Sequence, residues 1–443
     1  MKDRRRQEGA TVLIRGGRIV MGQDVIEQDL LIRGEEIADI GPIGEVQAQT
    51  IVDARGLLVL PGGVDTHVHF NDVFMGTVSV HDYFTGTRAA AFGGTTSVID
   101  FSNQLPDGSL AKTLEDKHRE AHGKALVDFG VHPVITRPDE ETLGEIATVV
   151  KAGSPTIKCY MTYRDDGLLI QDRDLKRIAR RLSRAGGMLM LHAEDNDTIE
   201  ANVPRLLGEG KTASIFHARS KPPEVETEAI RRVIEMARET GARFFIVHLA
   251  SPGGLDLLTE AMADGVDIRP ETCTHYLVFS ESMLEREDGM KWICSPPLRD
   301  EAAREELWQG VADGRIRMVT SDDAAYSWEA KLYGKDRFDL CPNGIPGIEP
   351  RFQVLYSEGV AKGRISLPRF VEIVASEPAR LFGMAPKKGS LQVGADADIV
   401  LLDPEATWIM GQETLHMATD WSAYEDMEIT GKIRKVFSRG ELI

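Results

Sequence analysis

Residues 62–70 read Gly-Gly-Val-Asp-Thr-His-Val-His-Phe. The glycine pair after Pro61 punctuates a tight approach into a short buried run. Two residues apart on a strand, His67 and His69 point to the same face, so both imidazoles can reach one metal ion. A single His-X-His is weak on its own, and its plainer reading is a coincidental pair near a strand end. The same construction, an apolar run of strand length leading into polar groups, recurs down the chain. It appears as TTSVIDF (95–101), LVDFGVHPV (126–134), TIKCYM (156–161), MLMLHAE (188–194), RFFIVHLA (243–250), DIRPETCTHYL (267–277) and RIRMVTSDD (315–323). Eight such runs predict a chain of α/β class whose strands close into a parallel (β/α)8 barrel.

Amphipathic helices lie between several of the runs. In DLKRIARRLSRAGG (174–187), Leu175, Ile178 and Leu182 form one apolar stripe that stops at a Gly-Gly pair, and VETEAIRRVIEMARETGA (225–242) stops at Gly241. Outside the alternating middle the pattern changes. TVLIRGGRIV (11–20), DLLIRGEEIADIG (29–41) and IVDARGLLVLPGG (51–63) read as short strands with turns, as do GSLQVGADADIVLLDP (389–404) and KIRKVFSRGELI (432–443). Two β-rich ends around a different middle predict one small β-sandwich domain built from residues 1–60 and 387–443, flanking a barrel over 61–386.

Composition narrows the function. Across 443 residues, 52 Lys and Arg stand against 70 Asp and Glu, a net charge of −18. That disfavours a nucleic-acid or anionic-membrane surface, since both need clustered positive charge. The opening MKDRRRQEGA is basic but leads into no apolar run, so it does not read as a secretory signal. Cys159, Cys273, Cys294 and Cys341 are scattered without CxxC spacing, which fits reduced thiols and a cytoplasmic location.

Metal-competent residues gather where the runs end, and the C-terminal face of a barrel is where this architecture carries its active site. Lys158 sits inside an apolar run, costly for an ammonium without a partner. Its plain reading is a side chain reaching solvent at the barrel mouth. The sharper one is an N6-carboxylysine, formed with carbon dioxide, whose anionic carbamate bridges two metals. His192 and His248 each follow a β-run; one such histidine is usually a satisfied core residue, but two at neighbouring strand ends suit a metal, with Glu194 orienting His192. Asp322 can ligate a metal and act as general base, although Ser-Asp-Asp is also good helix-capping chemistry. The sequence leaves open whether Asp322 or Asp323 points inward. Together these residues suffice for a two-metal site.

The motifs GGVDTHVHF, IKCYMTY, LHAE, IVHLAS, CSPPLR, SDD and PNGIPGIE resemble the D-hydantoinase/dihydropyrimidinase branch of the amidohydrolase superfamily. The resemblance extends to FTGTRAAAFGGTTSVIDF (84–101), EPARLFGMAPKKGSLQVGADADIVLLDP (377–404) and HMATDWSAYED (416–426), nearly the whole chain. It implies hydrolysis of a cyclic ureide or amide with two divalent ions, zinc by expectation. His67, His69 and Asp322 would hold the more buried ion, His192 and His248 the more exposed one, and carboxylated Lys158 would bridge them. Tyr163 would hydrogen-bond the developing oxyanion, from beyond the strand end because of its odd spacing from Lys158. Ser295 and Asn343 would bind the ring's amide and imide groups, largely through backbone atoms, with turn chemistry beside proline as the plainer role of their side chains. A homotetramer or homodimer is also implied.

Three departures stand out. Asp323 replaces the family's usual histidine and adds a negative charge near the metals. The loop FNDVFMGTVS (70–79) differs from the usual Leu-Asp-Met-Pro-Phe, and Pro350 replaces an acidic residue. They bear on substrate preference and metal affinity rather than on reaction class. Allantoin is an alternative ring substrate. Dihydroorotate is disfavoured because the 70–79 loop has no arginine for its carboxylate. A non-catalytic scaffold is disfavoured because every ligand position is filled.

Overall fold

The computed structural model describes residues 11–443 apart from positions 45, 47, 106 and 107. The basic opening decapeptide lies outside the described residues. All eight runs contain strands. Gly63–Val68, Thr95–Asn103, Asp128–Val134, Thr156–Tyr160, Met188–His192, Arg243–Ile246 and Ile268–Pro270 pair in parallel, in chain order. After a break at Glu271, Thr272–Cys273 continues the seventh strand and pairs in parallel with the eighth, Val319–Thr320. The ring closes where Val68 meets Asp323 in a parallel bridge. There the His69 N–H donates to the Asp323 carbonyl at 2.9 Å.

Strands enclosed on both faces need apolar side chains in both directions, which is why these runs are nearly continuous rather than alternating. Ile99, Phe101, Val134, Met188, Met190, Phe245, Val247 and Met318 pack together in the barrel. Helix Asp172–Ala185 buries Leu175, Ile178, Ala179 and Leu182 and ends at Gly186, whose φ of 78° is left-handed. Helix Pro223–Thr240 stops the same way at Gly241, φ 62°. Both stops follow from glycine's freedom at positive φ.

The two chain ends meet in one eight-stranded mixed sheet. Its order is Glu441–Leu442, Met427–Ser438, Ile399–Met410, Leu58–Pro61, Thr11–Met21, Asp24–Arg33 and Glu36–Gly41, with Thr50–Asp53 beside Thr11–Met21. Ile14, Ile19, Leu30, Ile32, Ile37, Val59, Ile399, Leu401 and Phe437 form its core. Between the sheet's last two long strands, residues 411–426 leave it and reach the barrel. There the Trp421 indole donates to the Tyr326 carbonyl at 2.9 Å. Among the described residues no helix is long and apolar enough to cross a membrane.

Candidate active site

The first strand delivers His67 and His69 to the barrel mouth, each with one ring nitrogen already engaged. His67 Nδ1 lies 2.5 Å from Glu271 Oε1, and His69 Nδ1 lies 2.9 Å from Asp72 Oδ2. Both Nε2 atoms therefore face the cavity, and Asp322 Oδ1 sits 2.9 Å from that of His67 and 3.6 Å from that of His69. The 2.9 Å approach is not a well-formed hydrogen bond, and His67 Nε2 is buried without a partner. Two donors this close but not aimed at each other are aimed at a common third point, as metal ligands are. Burial pulls the His69 pKa down, but the Asp322 and Asp72 carboxylates outweigh it and carry it up to about 9. Burial in turn pushes Asp322 up, and the His67 and His69 rings hold it well below the usual carboxylate range. Asp322 takes a left-handed φ of 49°, an uncommon backbone for a residue other than glycine. No helix starts there, and the next one, Trp328–Lys331, is capped by Ser327, so the capping role is excluded.

The fifth and sixth strands bring in His192 and His248, with ring centroids 4.4 Å apart. Glu194 Oε2 lies 2.7 Å from His192 Nε2, which leaves Nδ1 for the cavity. His248 Nδ1 is buried without a hydrogen-bond partner. Burial lowers the His192 pKa to about 4, so its ring is neutral at pH 7. Lys158, 1% exposed, holds Nζ 4.6 Å from the Phe101 ring centroid and 4.8 Å from that of Tyr160. No carboxylate of the described residues pairs with it. Burial lowers its pKa to about 8, although Asp322 and Glu271 oppose the shift. At pH 7 about one amine in ten is then neutral, the form that reacts with carbon dioxide.

Tyr163 stands beyond the end of strand Thr156–Tyr160 with φ 65°. Its hydroxyl accepts from Asn343 Nδ2 at 3.4 Å. His67, His69, Lys158, Tyr163, His192, His248, Ser295, Asp322 and Asn343 all line one cavity, so these nine candidate site residues converge there. The unpartnered imidazole nitrogens, the Asp322 carboxylate and an unpaired lysine form a donor set that fits divalent ions.

Asp323 turns away from this cluster. Its Oδ2 accepts from His81 Nδ1 at 2.7 Å, and its Oδ1 accepts from the Gly347 and Ile348 amides at 2.8 and 3.1 Å. The Ala418 amide donates to His81 Nε2 at 3.2 Å, which places the ring proton on Nδ1. The charge anticipated from Asp323 is thus absorbed by one imidazole and two amides. Glu271, His81 and Lys221 escaped the sequence reading. Glu271 carried a faint signal, a carboxylate within an apolar run. The other two lie outside the strands and carried none.

Comparison with known proteins agrees. The model of the amidohydrolase family matches residues 58–443. The chain is 39% identical to a D-hydantoinase of Geobacillus stearothermophilus over 437 residues, covering 98% of this chain and 93% of that protein. It is 41% identical to a D-phenylhydantoinase of Escherichia coli, covering 98% and 94%. The crystal structure of the dihydropyrimidinase from Brevibacillus agri NCHU1002 superposes with a TM-score of 0.95 at 37% identity, covering 98% and 95%. A matched family model, near-complete alignment and a shared barrel place the chain in the amidohydrolase family.

Proposed function

We propose that this chain opens the ring of a 5-substituted hydantoin or a dihydropyrimidine, giving an N-carbamoyl amino acid or N-carbamoyl-β-amino acid. The observation that carries the reading is the convergence of nine anticipated side chains on one cavity, with unsatisfied imidazole nitrogens aimed into it. The names of its relatives point the same way.

His67, His69 and Asp322 would hold one zinc ion and His192 and His248 a second. Lys158 would complete the donor set for both: its neutral amine forms an N–C bond to carbon dioxide, releases a proton and becomes an N6-carboxylysine. When bound, the two ions supply polarisation of the ring carbonyl and acidification of water. Asp322 accepts the proton of the attacking water and passes it to the ring nitrogen as the C–N bond breaks. Tyr163 donates to the carbonyl oxygen as that atom gains charge. Burial pushes its phenol far above its ordinary pKa, so the proton stays on. Ser295 and Asn343 orient the ring's amide and imide groups. The four cysteines are free and buried, in keeping with a cytoplasmic protein, and a homo-oligomer is expected.

The test is a Lys158→Ala variant, assayed on hydantoin, dihydrouracil and allantoin alongside metal quantification. The wild type turns over the first two rings with about two ions bound, and the variant loses ions and activity together. A fully active Lys158→Ala protein overturns the bridging role, and turnover of allantoin alone overturns the substrate assignment.

A further inference from the structure

Lys221 lies in the connection between helices Ile215–Ser220 and Pro223–Thr240 and is only 5% exposed. A buried ammonium needs partners, and this one has two that lead in different directions. Its Nζ donates to Glu194 Oε2 at 3.2 Å, and the same oxygen lies 2.7 Å from His192 Nε2. Nζ also donates to Ser295 Oγ at 2.6 Å. The second neighbour of that hydroxyl, His217 Nε2, stands 3.5 Å away and spends its proton on the Cys294 carbonyl at 2.8 Å. Ser295 and Asn343 both face the Tyr163 hydroxyl, and the Tyr163 ring centroid is 5.3 Å from Nζ. The Lys221 carbonyl is itself held by Arg299 Nη1 at 2.5 Å, which fixes the connection.

We propose that Lys221 is a positioning residue that serves both halves of the site, orienting the ligand His192 through Glu194 and the oxyanion donor Tyr163 through Ser295. On the first branch its hydrogen bond to Glu194 Oε2 fixes the carboxylate in place, so that Glu194 holds the His192 Nε2 proton and turns Nδ1 to the cavity. Outer carboxylate–histidine partners of this kind change metal affinity or activity by about 10–100-fold when lost. On the second branch the ammonium occupies an acceptor lone pair of Ser295, which directs the Ser295 O–H outward toward the Tyr163 oxygen and the ring. The inference rests on the cyclic-amide reading.

Three substitutions separate the branches. Lys221→Met keeps the length and removes the charge, and it lowers kcat by about 10–100-fold and the affinity for one zinc ion by about tenfold, read by chelator competition without substrate. Lys221→Arg reaches both partners and restores kcat and zinc affinity. Ser295→Ala breaks the second branch alone, so it lowers kcat while both zinc ions bind as in the wild type. Should Lys221→Met not fold, Glu194→Gln supplies the first branch and loses zinc affinity as above. Wild-type turnover and zinc binding in Lys221→Met, equal losses in Lys221→Arg, or zinc loss in Ser295→Ala would each overturn the proposal. A wild-type protein that binds two zinc ions yet opens no ring overturns the reaction instead, and the zinc arm still tests Lys221.

Discussion

At position 323 a carboxylate stands beside Asp322 of the cavity, and its partner, His81, comes from 242 residues away. Breaking a buried pair of this kind costs about 3–5 kcal/mol, because the remaining group keeps its desolvation cost. His81→Ala should lose about 3 kcal/mol in urea unfolding, and the exchange of both residues, His81→Asp with Asp323→His, should recover most of it. An exchange no better than the single change defeats the pairing. Glu226 gives a pH dependence. Burial raises its pKa from 4.5 to about 7, against Arg299, and only one of its oxygens is satisfied, by the Ala250 amide at 2.9 Å. A folded-state pKa above the unfolded one means that its contribution is complete below pH 4.5 and lost as pH rises to about 7. The linked change is up to about 3 kcal/mol. Glu226→Gln should remove its share of the fall in unfolding free energy between about pH 4.5 and 7, and an unchanged slope there would refute the assignment. The side chains that line the cavity were legible because strand ends advertise them. Which of two adjacent aspartates turns inward was not, because that depends on φ at Asp322 and on a distant histidine.

At the scale of elements, barrel and terminal sheet are pinned by a charge cluster. Lys388 Nζ lies 2.9 Å from Asp396 Oδ2 and 2.6 Å from Asp398 Oδ2, and it also contacts Asp128 at the start of the third strand. These three carboxylates have the spacing of a cation site, and the buried ammonium fills that role. Lys388→Met leaves them facing one another and should lower the midpoint of thermal unfolding, with a cost of about 3–5 kcal/mol. Adding Asp398→Asn should return part of the loss, and no recovery would show that the repulsion is not what costs stability. The strands themselves were legible from their apolar runs, and the helix stops from Gly186 and Gly241. The lengths were not. RIRMVTSDD yields only Val319–Thr320, and the seventh run is broken at Glu271, whose side chain is needed by His67.

For the whole molecule, the fold separates a core that needs no metal from a mouth proposed to hold two ions. The barrel and sheet bury their apolar side chains irrespective of any ion, so chelated protein should keep its fold and lose only turnover. Reloading then depends on two protonation states at the mouth. Lys158, lowered to about 8, reacts with carbon dioxide only as the neutral amine, and His69, raised to about 9, must release its proton before its nitrogen can ligate. Both fractions grow as pH rises, the first from about one tenth at pH 7 to about nine tenths at pH 9. At fixed dissolved carbon dioxide, activity regained by chelated protein after zinc addition should therefore recover at least about tenfold faster at pH 9 than at pH 7, the lysine fraction alone supplying that factor. Removing carbon dioxide should slow recovery at both. Recovery that ignores carbon dioxide would mean that the lysine stays unmodified, and the unpaired amine in the cavity wall would then repel the ions that its neighbours are proposed to hold.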